Sequence, residues 1–166
     1  QIAFQYSHHI IFSDGKIEHN SEYINAEPGK FPNYDFVRKL KHDLDSDIGS
    51  IFKYSTHENS ILNAIYDQLI DSDEQDKTEL IDFIISITNK KENNKLVRKG
   101  DRDMIDLWDL VKKYFYHPYM KGSNSIKVVL PTIIKICEYV KKKYSKPIGQ
   151  INLTSLNFPN EHRWIK

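Results

Sequence analysis

Two carboxylates stand where a strand gives way to a helix, the position at which mixed α/β domains gather their chemistry. The first lies in the run Gly49 to Leu62, Gly-Ser-Ile-Phe-Lys-Tyr-Ser-Thr-His-Glu-Asn-Ser-Ile-Leu. Ser50 to Tyr54 reads as a buried strand between helices, and Glu58 falls on the first turn of the helix after it. Ligands bind outside the carboxyl ends of parallel strands in such sheets, so Glu58 projects into the expected crevice as a candidate metal ligand. The same placement suits an acid that complements the positive end of the helix dipole, with Ser55 or Thr56 as cap. The second carboxylate is Asp106, in Ile105-Asp106-Leu107-Trp108-Asp109. There a very short apolar strand ends on an acid, which either enters the crevice or caps the helix carrying Trp108 and Val111. Asp109 reads as a surface or first-turn acid.

A third feature is Tyr114 to Pro131, which combines aromatics, two lysines and small hydroxyl residues ahead of a helix. Backbone amides at that helix start, with Lys121, Ser123, Ser125 and Lys127, have the chemistry to hold a phosphate, and Tyr116 or Tyr119 to stack a base. The alternative is an ordered loop packed by its own aromatics. The segment lacks the Gly-x-x-x-x-Gly-Lys arrangement of a nucleotide P-loop. The seven histidines show no i, i+4 pair of the kind a zinc helix uses, and His8 and His9 face opposite sides of a strand. No Gly-x-Ser-x-Gly elbow is present, and Cys137 falls on an apolar helix face, where a thiol is inert.

These groups need elements to position them. Ile2, Phe4, Tyr6, His8, Ile10 and Phe12 alternate along one face of a long strand, Gln1 to Ser13. Asp14-Gly15 makes a tight hairpin into a weaker strand, Lys16 to Asn25, whose polar faces suit an edge. After a Pro/Gly loop, Phe36, Val37, Leu40 and Leu44 line a helix ending near Asp47. A second helix opens at Glu58 with the stripe Ile61, Leu62, Ile65 and Leu69, and a third, capped by Asp76 or Thr78, carries Leu80, Ile81, Ile84, Ile85 and Ile87. Lys90 to Asp103 is polar and reads as exposed. Met104 to Leu107 is a short strand, followed by a helix through Phe115. Ser125 begins a last helix whose apolar side runs from Val128 to Val140, with Pro131 near its start. The tail reads as extended, held by Leu153, Phe158 and Trp164. Right-handed crossover rules give the Ser50 to Tyr54 strand a parallel neighbour, either the first hairpin strand or one preceding Gln1. The second choice completes a ribonuclease H-like mixed sheet, an antiparallel hairpin plus parallel strands flanked by helices.

With 166 residues the chain is long enough for one core, and residues 1–166 read as a single domain. Gln1 is no initiator Met, so the chain is expected to begin inside a larger protein. No apolar run approaches the roughly 20 residues of a membrane span. One cysteine excludes an internal disulfide and a multi-cysteine zinc cage, and a reducing, cytoplasmic setting is expected. A formal net charge of +1 provides no overall field that demands nucleic acid. The lysine-rich runs follow the heavy use of Asn, Lys and Ile typical of AT-rich coding, and they are discounted as signals.

The combination of Phe4-Gln5-Tyr6-Ser7-x-His9 with Lys16-Ile17-Glu18-His19, then Tyr54-x-x-His57-Glu58-Asn59-x-Ile61-Leu62, Asp106-Leu107, and Met120-Lys121-Gly122-Ser123-x-Ser125-Ile126-Lys127-x-Val129-Leu130-Pro131 resembles the bacterial family called domain of unknown function 2779. The resemblance spans nearly the whole chain and is most specific in its last segment. It implies a ribonuclease H-like domain similar to the DEDD exonucleases, in which four carboxylates hold two divalent metals, Mg2+ or Mn2+, that activate water and stabilise a leaving oxygen. Relatives carry an Asp-x-Glu on a strand before the position of Gln1 and a later Asp beyond the end of this sequence. Glu58 matches the second carboxylate motif. His57, counted with the substrate-binding residues, stands where many relatives have Phe. Asp106 matches an Asp-Leu with a supporting role, and Lys121, Ser123, Ser125 and Lys127 match the loop that would contact phosphates. The implied function is a metal-dependent nuclease of the 3'-5' exonuclease kind, acting in the intact protein on single-stranded ends of DNA or RNA and working with other domains of the same chain. Residues 1–166 alone are expected to be inactive and to hold no metal tightly, as an incomplete domain. The alternative is a non-catalytic nucleic-acid-binding or scaffold domain; the membrane is not an expected partner.

Overall fold

The computed structural model describes residues 1–165. It is a mixed α/β structure with six helices, and its chain divides into two compact units: Gln1–Gln5 with Tyr23–Tyr114, and Tyr6–Glu22 with the chain from Phe115 onward. Among the described residues no helix is long and apolar enough to cross a membrane.

The first unit is built on three helices, α1 (Asn33–Leu44), α2 (His57–Ile70) and α3 (Lys77–Ile87). Their apolar residues recur at three- and four-residue spacings, which puts them on one stripe per helix. Phe36 and Val37 of α1, Leu62, Ile65 and Leu69 of α2, and Leu80, Phe83, Ile84 and Ile87 of α3 are all buried. Each such side chain contributes about 1.5–3 kcal/mol by leaving water. Asn33 is also buried and ties the chain start to this layer: its Oδ1 accepts from the Ala3 amide at 2.8 Å, and its Nδ2 donates to the Gln1 carbonyl at 3.0 Å and to Gln68 Oε1 at 2.7 Å. The expected cap of α3 is corrected, because Asp76 occupies the N-cap position without a side-chain cap bond. Its carboxylate instead takes Nε and Nη2 of Arg38, both at 2.7 Å, and Arg38 also reaches Asp35 and Glu74.

Two small sheets complete this unit. Strands β3 (Phe52–Lys53) and β6 (Ile105–Asp106) pair in parallel, Phe52 opposite Ile105 and Lys53 opposite Asp106. The expected buried strand Ser50 to Tyr54 is thus only two residues long, and its inside and outside are reversed: Phe52 is 56% exposed while Lys53 is buried. Its parallel neighbour is β6, in a two-stranded sheet of its own, so among the described residues the hairpin and this parallel pair do not join in the one mixed sheet expected. The polar stretch read as exposed is largely so, and it folds as an antiparallel hairpin, β4 (Asn89–Glu92) with β5 (Lys95–Lys99), closed by Asn93 and Asn94 with φ of 50° and 63°. Two successive positive φ values make the turn whose twist matches that of the strands it joins, and Asn tolerates them. The short helix α4 (Leu107–Tyr114) follows β6.

The second unit holds most of the hairpin β1 (Gln5–Ile11) and β2 (Ile17–Ile24), the helices α5 (Ile126–Ile136) and α6 (Glu138–Tyr144), and β7 (Leu153–Thr154). The sheet order is β1-β2-β7, with Ile17 and Glu18 parallel to Leu153 and Thr154, so β2 lies inside the sheet and not at its edge. Leu153 does hold the tail, and Phe158 meets Trp164 edge-on at 4.8 Å between ring centroids. The expected single helix beyond Ser125 breaks at Cys137, whose extended backbone separates α5 from α6.

A histidine cluster fastens tail to hairpin. The His19 ring is buried, lies 3.0 Å from Ser7 Oγ through Nε2, and accepts the Leu156 amide at Nδ1 over 3.2 Å. That acceptor role assigns the ring proton to Nε2. His9 stacks on His19 with centroids 4.4 Å apart. Desolvation, then the charges of His19 and His8, push the His9 pKa below 6.5. The unfolded chain therefore takes up a proton that the folded chain resists, and this contribution to stability, complete above 6.5, is lost as pH falls through the lower folded value. Urea unfolding from about pH 8 to pH 5 should show a modest decline on the acid side that His9→Gln flattens. An NMR titration placing the His9 ring above its ordinary value would contradict this.

Candidate functional site

The parallel pair β3/β6 ends on the starts of α2 and α4, and one side chain organises both turns. Asp106 Oδ2 meets Lys53 Nζ at 2.7 Å, while its Oδ1 accepts the Ser55 amide at 2.8 Å and the Trp108 amide at 2.9 Å. Lys53 Nζ also donates to the Ser55 carbonyl at 2.7 Å. Ser55 has φ of 77°, a left-handed conformation that costs a non-glycine residue about 1–2 kcal/mol. The Asp106–Lys53 pair grips both backbone polar groups of that residue and so sets the path into α2. Burial pushes the Asp106 carboxyl up, but the Lys53 bond and the two amides outweigh it and hold the group below its usual 3.8. Of the two roles open to Asp106, helix capping is the one its bond to Trp108 performs.

Glu58 lies on the first turn of α2, exposed, with no ion pair or hydrogen bond among the described residues; His57 beside it is exposed as well. Both its candidate roles depend on that position, since the amides of a helix start favour a negative charge. Asp106 and Glu58 do not by themselves fit a two-metal set. The first is occupied by Lys53, and among the described residues no three His, Cys, Asp or Glu side chains gather where they could hold an ion.

Lys121, Ser123, Ser125 and Lys127 belong to the second unit. Lys121 and Gly122 turn the chain with φ of 50° and 79°. Ser125 caps α5, its Oγ accepting the Lys127 amide at 3.4 Å, and the Ser125 amide donates to Ser123 Oγ at 3.3 Å. Lys121, Ser125 and Lys127 are exposed. The ring of Tyr119 carries Lys135 Nζ at 3.8 Å from its centroid, which covers one of its two faces.

The structure adds residues that sequence patterning passed over. Beside β3/β6 lies an open cleft of about 650 Å³ walled by α2, the β4–β5 hairpin and the start of α4. Asn59 fixes the hairpin to α2 by a reciprocal pair with Asn89: Asn59 Nδ2 donates to the Asn89 carbonyl at 2.9 Å and Oδ1 accepts its amide at 3.0 Å. Arg98 donates to Asn63 Oδ1 at 2.7 Å and stacks over Tyr66. The one sequence signal for this hairpin was Asn93-Asn94, flanked by residues too polar to show a strand period.

A family model described as Domain of unknown function (DUF2779) matches residues 1–125. No curated protein and no solved structure matches the chain.

Proposed function

The chain belongs to that family, and from this premise we propose that it forms part of a ribonuclease H-like nuclease that hydrolyses phosphodiesters in the intact protein with magnesium or manganese. The observation that supports the reading is the position of Glu58: an exposed acid on the first turn of α2, directly after the carboxyl end of β3 in a parallel pair. In this reading the metals supply an activated water and a counter-charge for the leaving oxygen. Glu58 provides one carboxylate wall, and Asp106 acts on it indirectly by fixing Ser55 and hence the start of α2. Activity requires further carboxylates beyond residues 1–166.

The test is cleavage of single-stranded DNA and RNA by the intact protein with Mg2+ or Mn2+. Glu58→Ala should reduce the rate at least about a hundredfold, since even the outer partners of a catalytic metal have effects approaching that size. Unchanged cleavage by Glu58→Ala sinks the role of Glu58, and no cleavage at all sinks the nuclease.

One observation favours a second reading, binding without catalysis. The second acid at the crevice, Asp106, is neutralised by Lys53 at 2.7 Å, and lysines line the neighbouring cleft. Metal-independent binding of single strands with no cleavage would favour that reading.

A further inference from the structure

We propose that the cleft between α2, the β4–β5 hairpin and the start of α4 binds the phosphate backbone of a single-stranded nucleic acid, with Lys91 and Lys99, which the strand register puts on one face of the hairpin, facing the phosphates. This site is distinct from the Lys121 to Lys127 loop and belongs wholly to the first unit.

Charge gives the first argument. Five lysines line the cleft against three aspartates, of which two are paired with lysines and the third keeps its charge against a neutral amide. Asp106 is held by Lys53, Asp109 by Lys112 at 2.7 Å, and Asp103 Oδ1 accepts from Asn89 Nδ2 at 2.8 Å. What remains is cationic. Lys91 and Lys99 make no ion pair among the described residues, and Lys90 has only Glu92 at 3.9 Å. A chain with a formal net charge of +1 has thus concentrated unneutralised lysines on one wall of one cleft, where they act on a polyanion at short range regardless of the overall charge.

Rigidity gives the second. Cations on a floppy loop must be ordered when a ligand arrives, whereas these stand on a hairpin with a two-residue turn. The Asn59–Asn89 pair and Arg98 fix that hairpin to α2. The lysine ammonium groups therefore move only by their own side-chain rotations.

The third argument selects the polymer. Trp108 lines the same cleft, half-buried; Lys112 Nζ covers one face of its ring at 3.5 Å from the centroid, so a base would stack on the other face. An aromatic ring beside a row of cations is the combination that holds single strands, the ring stacking a base while the lysines follow the backbone. An acidic peptide would use the lysines and leave the ring without a role. The choice of nucleic acid agrees with the nuclease reading and leans on it; the binding itself needs neither metal nor Glu58.

The test is fluorescence anisotropy of labelled oligo(dT) and oligo(U) with the full chain, without divalent metal and across a salt series. The double variant Lys91→Gln, Lys99→Gln should lose about tenfold or more in affinity, with a salt dependence shallower by about 0.7 in log–log slope for each lysine removed, and Lys90→Gln, on the opposite face, should change little. Lys142→Gln with Lys143→Gln, on α6, should bind like the parent, and Lys121→Gln with Lys127→Gln reads the share of the other loop. Trp108 emission, read in a Trp164→Phe background, should be quenched by the oligonucleotide and not by polyglutamate. Lys91 and Lys99 are exposed; should thermal melting show the double variant unfolded, the single variants Lys91→Gln and Lys99→Gln carry the test, each shifting the slope by its own share. Unchanged binding by folded Lys91 and Lys99 variants, loss confined to the Lys121/Lys127 pair, or equal competition by polyglutamate overturns the proposal. A protein that binds here but cuts nothing overturns the nuclease and leaves this site standing; one that cuts while the Lys91 and Lys99 variants bind normally overturns the site alone.

Discussion

Lys53→Met should destabilise the protein by about 3–5 kcal/mol, the usual consequence of removing one partner from a buried ion pair. The Lys53 side chain is 5% exposed and that of Asp106 12%. Methionine fills the space of the lysine stem, so the loss is one of charge balance: Asp106 stays behind as a carboxylate out of water, and the Ser55 carbonyl loses its donor. The companion variant decides the mechanism. Lys53→Met combined with Asp106→Asn removes the orphaned charge yet keeps an oxygen to accept the Ser55 and Trp108 amides, and Asn is a good helix cap. The double variant should recover most of the loss. A urea unfolding series gives all values, and a single variant within about 1 kcal/mol of the parent would show that the pair is not the latch described. The pH dependence follows from the same contacts. Asp106 is held below 3.8 in the folded chain, so its stabilising contribution is present above that value and disappears as pH falls through the lower folded one. Lys53→Met should lose this acid-side slope. Because Ser55 leads into α2, the variant should also lower any activity that depends on Glu58, while leaving Glu58 itself untouched.

The same pair shows why parts of the fold escaped sequence patterning. The stripes of α1, α2 and α3 were legible because their apolar residues repeat at helical spacing, and Glu58 could be assigned to the first turn of α2 on that basis. At β3 the rule that apolar means inward fails. Lys53 turns in because Asp106, 53 residues along, waits for it, and Phe52 turns out. Periodicity along the chain carries no information about a charge pair formed across it. The β4–β5 hairpin was missed for a related reason: Lys90, Lys91, Lys95 and Lys99 give no alternation, and the hairpin is held by asparagine side chains of α2 in place of an apolar face. Discounting lysines as coding bias also removed from view the charge that lines the cleft. The position of β2 inside its sheet depended on β7, a strand of only two residues in a tail without period. Capping alternatives for Asp106 could be framed from sequence, but the choice needed the Trp108 amide at 2.9 Å.

Gly100→Ala should be among the most damaging small substitutions in the chain, costing about 3 kcal/mol or more, at or above the upper end of ordinary overpacking. A Cβ at position 100 would stand 2.1 Å from the Ser86 carbonyl oxygen and 2.2 Å from that of Ile85. Both are backbone atoms at the end of α3 and cannot swing aside as a flexible side chain would. Backing off would break the bonds that satisfy this helix end. The Gly100 amide donates to the Thr88 carbonyl at 2.9 Å, the Arg102 amide to Ser86 at 2.8 Å and the Met104 amide to Ile87 at 3.1 Å. Orphaned carbonyls at a buried helix terminus add their own cost. Gly29→Ala is the control: φ there is +81° with nothing within 4 Å, so only the conformational penalty of about 1–2 kcal/mol applies. Chemical denaturation of the two variants separates close approach from backbone strain, and equal losses would refute the steric argument. The position also ties stability to binding. Gly100 directly follows β5 and its Lys99, and Met104 leads into β6. A chain forced away from α3 at this point carries the cationic wall of the cleft with it. Gly100→Ala should therefore weaken single-strand binding even under conditions where melting shows it still folded, whereas Gly29→Ala, on a loop outside the cleft, should not.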